Sequence, residues 1–450
     1  EEGKLDLDAP LPTDLLPLNP FPGEGAVTLR QLLCHRSGLQ REVPVGGYFD
    51  PSQPGLAATI GSLRSGVLVT QPGEKTRYSN VGASLAGFLV ERASGTDFAA
   101  YQRERILRPL GMKDSAWTLE DLGAGRVIAS HMRVADGRGG WTRRNAPLFD
   151  LGTIPAGNLF STVEDIARFG SALLVGGGGL VKPGTLEEMW TPQLTDDTRG
   201  FGIGFVVGSF RGHKAVGHNG AVYGHSTAFT LLPGLKIGVV VVGNEDIANG
   251  RIKSISDTAL SLMLEARIGE KPSTRKTVEI PNLHPFAGDY ESESYWARIE
   301  VRNGRLVASF SGQPATLTPV GPHSFLANSR IESDSMVEFQ IQEGAELADG
   351  FTRGGQQFAR VPGDRPPLPP EWRHVLGSYG PDFIPLIISE RHGHLYAMTE
   401  NMVDYRLTPR SRFVCDLPKG MYTDEHVVFL PGADGRIHGI DFASVRLPRR

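Results

Sequence analysis

The chain has 450 residues, more than one ordinary domain holds, so two or three domains are expected. Its composition, 40% hydrophobic and 21% charged, is that of a globular protein and not of a disordered one. A net charge of −4 gives no electrostatic basis for binding nucleic acid or an anionic membrane.

In chain order, residues 1 to about 270 alternate amphipathic helices with strands. Thr28 can cap a short helix on which Leu29, Leu32 and Leu33 share one face. Asn80 leads into a helix over 81–94, with Leu85, Phe88 and Leu89 as its apolar stripe and Gly95 as its stop. Ser161 and Glu164 read as a capping box opening a helix that turns Ile166, Phe169 and Leu173 inward; Thr185 and Glu188 repeat the device. Strands are predicted over 202–207, 215–217, 227–232 and 236–243, with Pro233 and Gly234 turning between the last two. A helix over about 252–268 follows. The run from Ile237 to Val242 is almost entirely β-branched without polar alternation, which predicts a central strand with a neighbour on each edge. One neighbour lies across the Pro233 turn; the second is expected upstream of Glu1. This is the longest apolar stretch, and it is far too short to cross a bilayer.

After Lys271 the texture changes to short alternating strands separated by Asn-Gly, Gly-Pro and Asp-Gly turns, and an internal repeat emerges. Gly288-Asp-Tyr290 recurs as Gly377-Ser-Tyr379, and Asn303-Gly-Arg-Leu306 as His392-Gly-His-Leu395, each at an offset of 89. Leu317-Thr-Pro319 recurs as Leu407-Thr-Pro409, and Arg360-Val-Pro362 has its counterpart in Arg446-Leu-Pro448. Each unit suits a small closed antiparallel barrel, because closure removes exposed edges. Phe286, Tyr290, Phe310 and Tyr379 are expected in the barrel cores. The predicted division is a first domain over 1–270, a linker over 271–283, a barrel over 284–362, a proline-rich linker over 363–371 and a second barrel over 372–450.

Two short motifs carry chemistry. Tyr78-Ser79-Asn80 offers a phenol and an amide, and His218-Asn219-Gly220, with the Ala221 N–H, offers a strand ending in glycine. A serine attacks an amide or ester only when something removes its proton and something stabilises the oxyanion. A Ser-x-x-Lys on one helical turn sets an amine beside a hydroxyl. A phenol can then relay the proton, an amide can orient lysine and substrate, and a strand N–H can face the oxyanion. At these residues the chain resembles the serine β-lactamase and penicillin-binding-protein-like family, in its D-aminopeptidase and esterase branch. Glu1-Glu-Gly-Lys-Leu-Asp-Leu-Asp8 resembles the stretch after the nucleophile helix, and Thr28-Leu-Arg-Gln-Leu-Leu-Cys-His-Arg-Ser-Gly-Leu39 the family's "TLRQLLTHTSGL". Gln71-Pro-Gly-Glu-Lys-Thr-Arg-Tyr-Ser-Asn80 resembles its "PG…YSN" segment; Pro109-Leu-Gly-Met112 and Pro155-Ala-Gly-Asn-Leu-Phe-Ser-Thr162 are further typical stretches. The paired C-terminal units resemble lipocalin-like barrels.

The resemblance implies an α+β fold, an antiparallel sheet flanked by helices, followed by two small barrels. It implies Tyr78 as proton relay, Asn80 as orienter, His218 and Gly220 in place of a Lys-Thr-Gly motif, and Ala221 as an oxyanion donor. Ser79 and Asn219 are expected at the substrate. The nucleophile motif is absent before Tyr78 and is expected upstream of Glu1, leaving this chain inactive by itself; Ser273-Thr-Arg-Lys276 reads as a chance match. An imidazole at 218 is mostly neutral at pH 7, so esters, amides or peptides with a free N-terminal D-residue fit better than classical β-lactams.

No cofactor is implied. His213, His218 and His225 lack a carboxylate or thiolate to complete a metal set, and Cys34 and Cys415 are too few and too far apart for a disulfide framework. Ser84 and Ser226 lie in near-matches to a nucleophile elbow that lack the final glycine. The expected partner is a small peptide, amide or ester substrate, with a homodimer allowed; the compartment, periplasmic, secreted or cytoplasmic, is open. The alternatives are a catalytically inactive relative that binds peptidoglycan or a partner, and a ligand-binding role for the barrels.

Overall fold

Of the 450 residues, the computed structural model describes all but 13–25, 64–67, 124, 136–139, 196, 273–275, 362, 364, 400 and 401. Residues 273–275 of the Ser-x-x-Lys match and Pro362 thus lie outside the described residues. Helices α1 (Leu29–Leu33), α2 (Leu56–Gly61), α3 (Asn80–Ser94), α4 (Phe98–Gln102), α5 (Leu119–Leu122), α6 (Ile154–Gly157), α7 (Val163–Leu174) and α8 (Pro183–Met189) precede an antiparallel sheet, and α9 (Asn249–Ile268) follows it. A hairpin of β1 (His131–Ala135) and β2 (Trp141–Asn145) stands apart. The sheet runs β3 (Gly200–Phe201), β4 (Val206–Phe210), β5 (His213–Val222), β6 (His225–Leu232), β7 (Ile237–Gly243) in that spatial order. Two compact units result: Glu1–Ser130, Ala146–Asn244 and Ala443–Val445 form one, and His131–Asn145, Glu245–Phe442 and Arg446–Arg450 the other.

Local chemistry sets the helix starts, with small corrections to the sequence reading. At α1 the predicted cap is reciprocal: Thr28 Oγ1 accepts the Gln31 N–H, and Gln31 Oε1 accepts the Thr28 N–H. Helix α3 begins at Asn80 with Ser79 as its cap and ends at Gly95, whose φ of 69° is left-handed. For α7 the cap is Thr162, not Ser161: its hydroxyl accepts the Asp165 N–H, so Glu164 falls one position short of a capping box. At α8 the proline at 183 starts the helix, which moves Thr185 inside its first turn.

Leu32, Leu39, Val81, Leu85, Phe88 and Leu89 form the helical core of the first unit. Leu173 of α7, Leu186 of α8 and Trp190 pack against Phe205, Val207, Val216 and Leu231, covering one face of the sheet. Among the described residues strand β7 pairs with β6 alone, the neighbour expected across the Pro233 turn, and Val242 is 43% exposed; the second expected neighbour is not among them. The predicted strand over 202–207 is instead a tight turn, in which the Gly202 N–H donates to the Phe205 carbonyl, followed by β4.

In the second unit, strands β8 (Gly288–Glu291), β9 (Trp296–Arg302), β10 (Arg305–Phe310), β11 (Gln313–Pro319), β12 (Ser324–Asn328), β13 (Ser335–Gln340), β14 (Gly350–Arg353) and β15 (Gln356–Arg360) close into a barrel. Phe286, Tyr290, Phe310, Phe351 and Phe358 fill it, as the alternation predicts. The repeat yields a second eight-stranded sheet, β16 (Gly377–Tyr379), β17 (Leu386–Arg391), β18 (His394–Met398), β19 (Asp404–Ser411), β20 (Val414–Asp416), β21 (His426–Pro431), β22 (Ile437–Phe442) and β23 (Val445–Pro448). Its ends meet only at the Tyr379–Arg449 bridge, so it is a nearly closed barrel and not the fully closed one expected. Both copies use one device at the start of the repeat. Tyr290 and Tyr379 donate their phenols to the carbonyls of Phe286 and Val375, four residues back. Arg360 donates to the carbonyls of Pro285 and Ala287, and Arg449, 89 residues later, to those of His374 and Leu376. A side chain at Gly288 would lie 2.2 Å from the Arg360 guanidinium, so glycine there makes room for the arginine.

The two barrels meet through polar contacts. Glu291, nearly buried, pairs with Arg365 at 2.7 Å and His392 at 2.8 Å, and the Trp296 indole N–H donates to Asp404 at 2.7 Å. Burial pushes the Asp404 carboxyl up to about 6, against the opposing pull of that hydrogen bond and of Arg391.

Candidate active site

The chain leaves α1 through His35, whose φ of 57° turns it sharply, and residues 35–42 then run alongside residues 77–81. The two segments are bonded at every step. The Arg77 N–H donates to the His35 carbonyl at 2.6 Å, the Ser79 hydroxyl to the Gln40 carbonyl at 2.6 Å, and the Asn80 N–H to the Arg41 carbonyl at 2.9 Å. Side chains complete the clamp. His35 Nδ1 accepts the Ser79 N–H at 3.2 Å, and Asn80 Nδ2 donates to Glu42 Oε1 at 2.7 Å. Glu42 is 4% exposed and also faces Arg41 Nε at 3.2 Å.

Around Tyr78 the rings converge. His35 stacks on it with centroids 4.2 Å apart, the Arg41 guanidinium lies 5.0 Å from its centroid, and His218 of β5 stands 6.2 Å away. Thus the two motifs, 140 residues apart in the chain, meet at one place. His218 Nδ1 lies 2.6 Å from the Asn219 carbonyl, which can only accept, so Nδ1 carries a proton; in the neutral ring Nε2 then holds the lone pair. His35 has the opposite tautomer, because its Nδ1 accepts a backbone N–H.

Strand β5 does not stop at Gly220 as expected but runs on to Val222. Strand β4 pairs with β5 from His213 to Gly217, and β6 pairs with it from Val216 to Val222, with Asn219 opposite Ala228, Gly220 opposite Thr227 and Ala221 opposite Ser226. The narrow approach of the strands at this point needs glycine, since a Cβ at Gly217 would sit 1.9 Å from the Phe229 carbonyl oxygen. A strand that passes beside a phenol and an imidazole can offer its backbone to an extended substrate.

Ser79, expected at the substrate, is fully buried. Its hydroxyl donates to Gln40 and accepts the Gly82 N–H, so helix capping uses both functions. The sequence reading assigned no role to His35, Arg41 or Glu42. His35 stood inside a quoted segment, whereas residues 36–47 have no periodicity that would mark a buried carboxylate. Among the described residues no three His, Cys, Asp or Glu side chains are grouped to hold a metal ion.

The electrostatics of the corner are dominated by burial. It raises the Tyr78 phenol above its ordinary value, with Arg41 pulling down and Glu42 adding to the rise. Burial, reinforced by His218 and Arg41, pushes the His35 imidazole down to about 3 from 6.5. Because the folded value lies below the unfolded one, the stability His35 contributes is complete above pH 6.5 and drains away as pH falls toward 3, by up to ~1.4 kcal/mol per pH unit. His35→Asn keeps an acceptor and tolerates the left-handed turn but does not titrate. Unfolding titrations should therefore show the wild type losing stability relative to this variant between pH 6.5 and 4. Parallel curves would refute the assignment.

The family model described as Beta-lactamase matches residues 1–259. The human protein named Putative beta-lactamase-like 1 is 29% identical over 289 residues, covering 61% of this chain and 54% of that protein. Unguisins hydrolase ungD' from Aspergillus campestris is 27% identical over 228 residues, covering 48% of this chain and 42% of that protein. The chain thus spans about half or less of the length of these curated relatives. Among solved structures, the octameric penicillin-binding protein homologue from Pyrococcus abyssi aligns with a TM-score of 0.54 at 23% identity, over 80% of this chain and 84% of that one, a likeness of fold. With more than half its length matched and the Tyr78 and His218 motifs facing each other, the chain belongs to the Beta-lactamase family.

Proposed function

We propose that the complete protein is a serine hydrolase that cleaves amide or ester bonds through an acyl-enzyme, of the D-aminopeptidase, DD-peptidase or esterase type. A single observation carries this reading: the Tyr78 and His218 rings stand 6.2 Å apart, with the Asn80 amide anchored at the same corner. The nucleophile and its base belong to a Ser-x-x-Lys helix outside residues 1–450. The open edge of β7, apolar and unpaired among the described residues, is the place where a strand of that segment would pair, since such edges are rarely left bare. Catalysis is assigned to residues 1–270, with barrels over 284–362 and 372–450 as accessory domains.

In this scheme the lysine amine takes the serine proton as Oγ bonds the substrate carbonyl carbon. Tyr78 passes a proton to the leaving group as its bond breaks, and water then releases the acyl group by the reverse route. The Ala221 N–H is a donor to the oxyanion, and the Asn219 and Gly220 backbone of β5 faces the substrate. His218, with a lone pair on Nε2 and no fixed charge when neutral, suits esters, amides and peptides bearing a free N-terminal D-residue over carboxylate-bearing β-lactams. The relative from Aspergillus campestris is named as a hydrolase, which supports the class of reaction.

A fluorophosphonate probe tests the reading. The complete protein should be labelled on a serine preceding residue 1, while residues 1–450 alone should be neither labelled nor active. Turnover by residues 1–450 that is lost with Tyr78→Phe would place the nucleophile elsewhere. An unlabelled, inactive complete protein would favour a binding protein instead.

A further inference from the structure

We infer that Glu42 is a positioning residue that fixes the polarity of the Asn80 amide, an inference that rests on the hydrolase reading above. An asparagine side chain has a donor end and an acceptor end of nearly equal shape, so its role depends on which way it is turned. Here the choice is made by a partner that accepts hydrogen bonds. Asn80 Nδ2 lies 2.7 Å from Glu42 Oε1, and the reverse orientation would set two acceptor oxygens against each other. The amide nitrogen is therefore held on Glu42, and Oδ1 is left on the side away from it, as an acceptor for a donor such as an ammonium or a substrate N–H.

Every other freedom of the two residues is already removed. Asn80 is the first residue of α3; its N–H donates to the Arg41 carbonyl at 2.9 Å and its carbonyl accepts the Ser84 hydroxyl at 2.8 Å. Glu42 is 4% exposed, its side chain faces Arg41 Nε at 3.2 Å, and its carbonyl accepts from Gln40 Nε2 at 2.7 Å. What remains is the rotation of one amide, and the carboxylate decides it. A buried carboxylate used in this way is costly to desolvate, which a purely space-filling position would avoid.

The test uses the complete protein and exchanges the polarity of the pair. Glu42→Gln preserves shape but offers both a donor and an acceptor, so Asn80 can turn either way; kcat/KM on a D-amino-acid anilide or ester should fall about ten- to a hundredfold, chiefly in kcat. In the double variant Glu42→Gln with Asn80→Asp, the introduced glutamine can donate to one oxygen of the introduced aspartate and leave the other as the outward acceptor. This variant should recover about tenfold or more over Asn80→Asp alone. A Glu42→Gln enzyme at the wild-type rate, or a double variant no faster than Asn80→Asp, would overturn the inference. Side-chain amide NMR provides a readout independent of turnover. The Asn80 NH₂ pair should be one slowly exchanging set in the wild type and should shift or broaden in Glu42→Gln. If the wild-type complete protein neither turns over substrate nor takes the probe, the hydrolase reading fails while this spectrum still decides the positioning; unchanged Asn80 signals in Glu42→Gln refute the positioning itself.

Discussion

Replacing Tyr78 with phenylalanine in the complete protein is expected to lower kcat/KM by about 10²- to 10⁴-fold, the usual range for losing a general acid–base group. The substitution isolates one atom. The ring stacked on His35 at 4.2 Å, its contact with Phe201 and its position beneath the Arg41 guanidinium are all retained, because each depends on the ring and not on the hydroxyl. Burial raises the phenol above its ordinary value, so it stays protonated at neutral pH and can act only by passing a proton through a transient exchange. The thermal midpoint should consequently move little, which separates a chemical effect from a packing effect. Steady-state kinetics alongside a thermal melt measure both; a rate within about fivefold of wild type would remove Tyr78 from the reaction.

The second large effect concerns stability. Phe351→Ala should destabilise the second unit by about 3–5 kcal/mol, the cost of truncating a large buried ring. Phe351 is fully buried, stacked on Phe358 at 4.6 Å and 11°, with Tyr290 at 5.1 Å and Phe339 at 5.2 Å around it. None of these rings can close the gap, since each is held by its own strand, and Tyr290 is also tied through its hydroxyl to the Phe286 carbonyl. Denaturant unfolding followed by near-ultraviolet signals reads the loss. A cost under about 1 kcal/mol would mean that the barrel interior collapses around the deletion and is looser than its aromatic packing indicates.

Much of this architecture was legible in the sequence, and where it was not the reasons are specific. The α1 cap and the α3 limits were readable because they depend on residues within one turn of each other. The repeat was readable because Gly288-Asp-Tyr290 and its copy carry the same local device. Ser161 for Thr162 was a one-residue error of the kind that arises when two adjacent hydroxyls both suit a cap, and geometry alone chose between them. The course of β5 beyond Gly220 was missed because its short polar segment, His218-Asn219-Gly220, has no alternation of its own and is held as strand by β6. Ser79 was assigned to substrate because its neighbours are chemical residues, yet the first helix of the motif needed its hydroxyl. Glu42 could not be found at all, because its bond to Asn80 spans 38 residues.

The paired tyrosine–arginine clasps differ in how much else holds each barrel shut. In the first copy the guanidinium of Arg360 shares its task with a strand seam, where Ala359 and Arg360 pair with Glu291 and Tyr290. In the second copy the seam is one bridge, Tyr379 to Arg449, the counterpart of the Tyr290 to Arg360 pair. Closure of the second barrel therefore rests on fewer backbone pairs than closure of the first, and its arginine clasp holds a larger share of it.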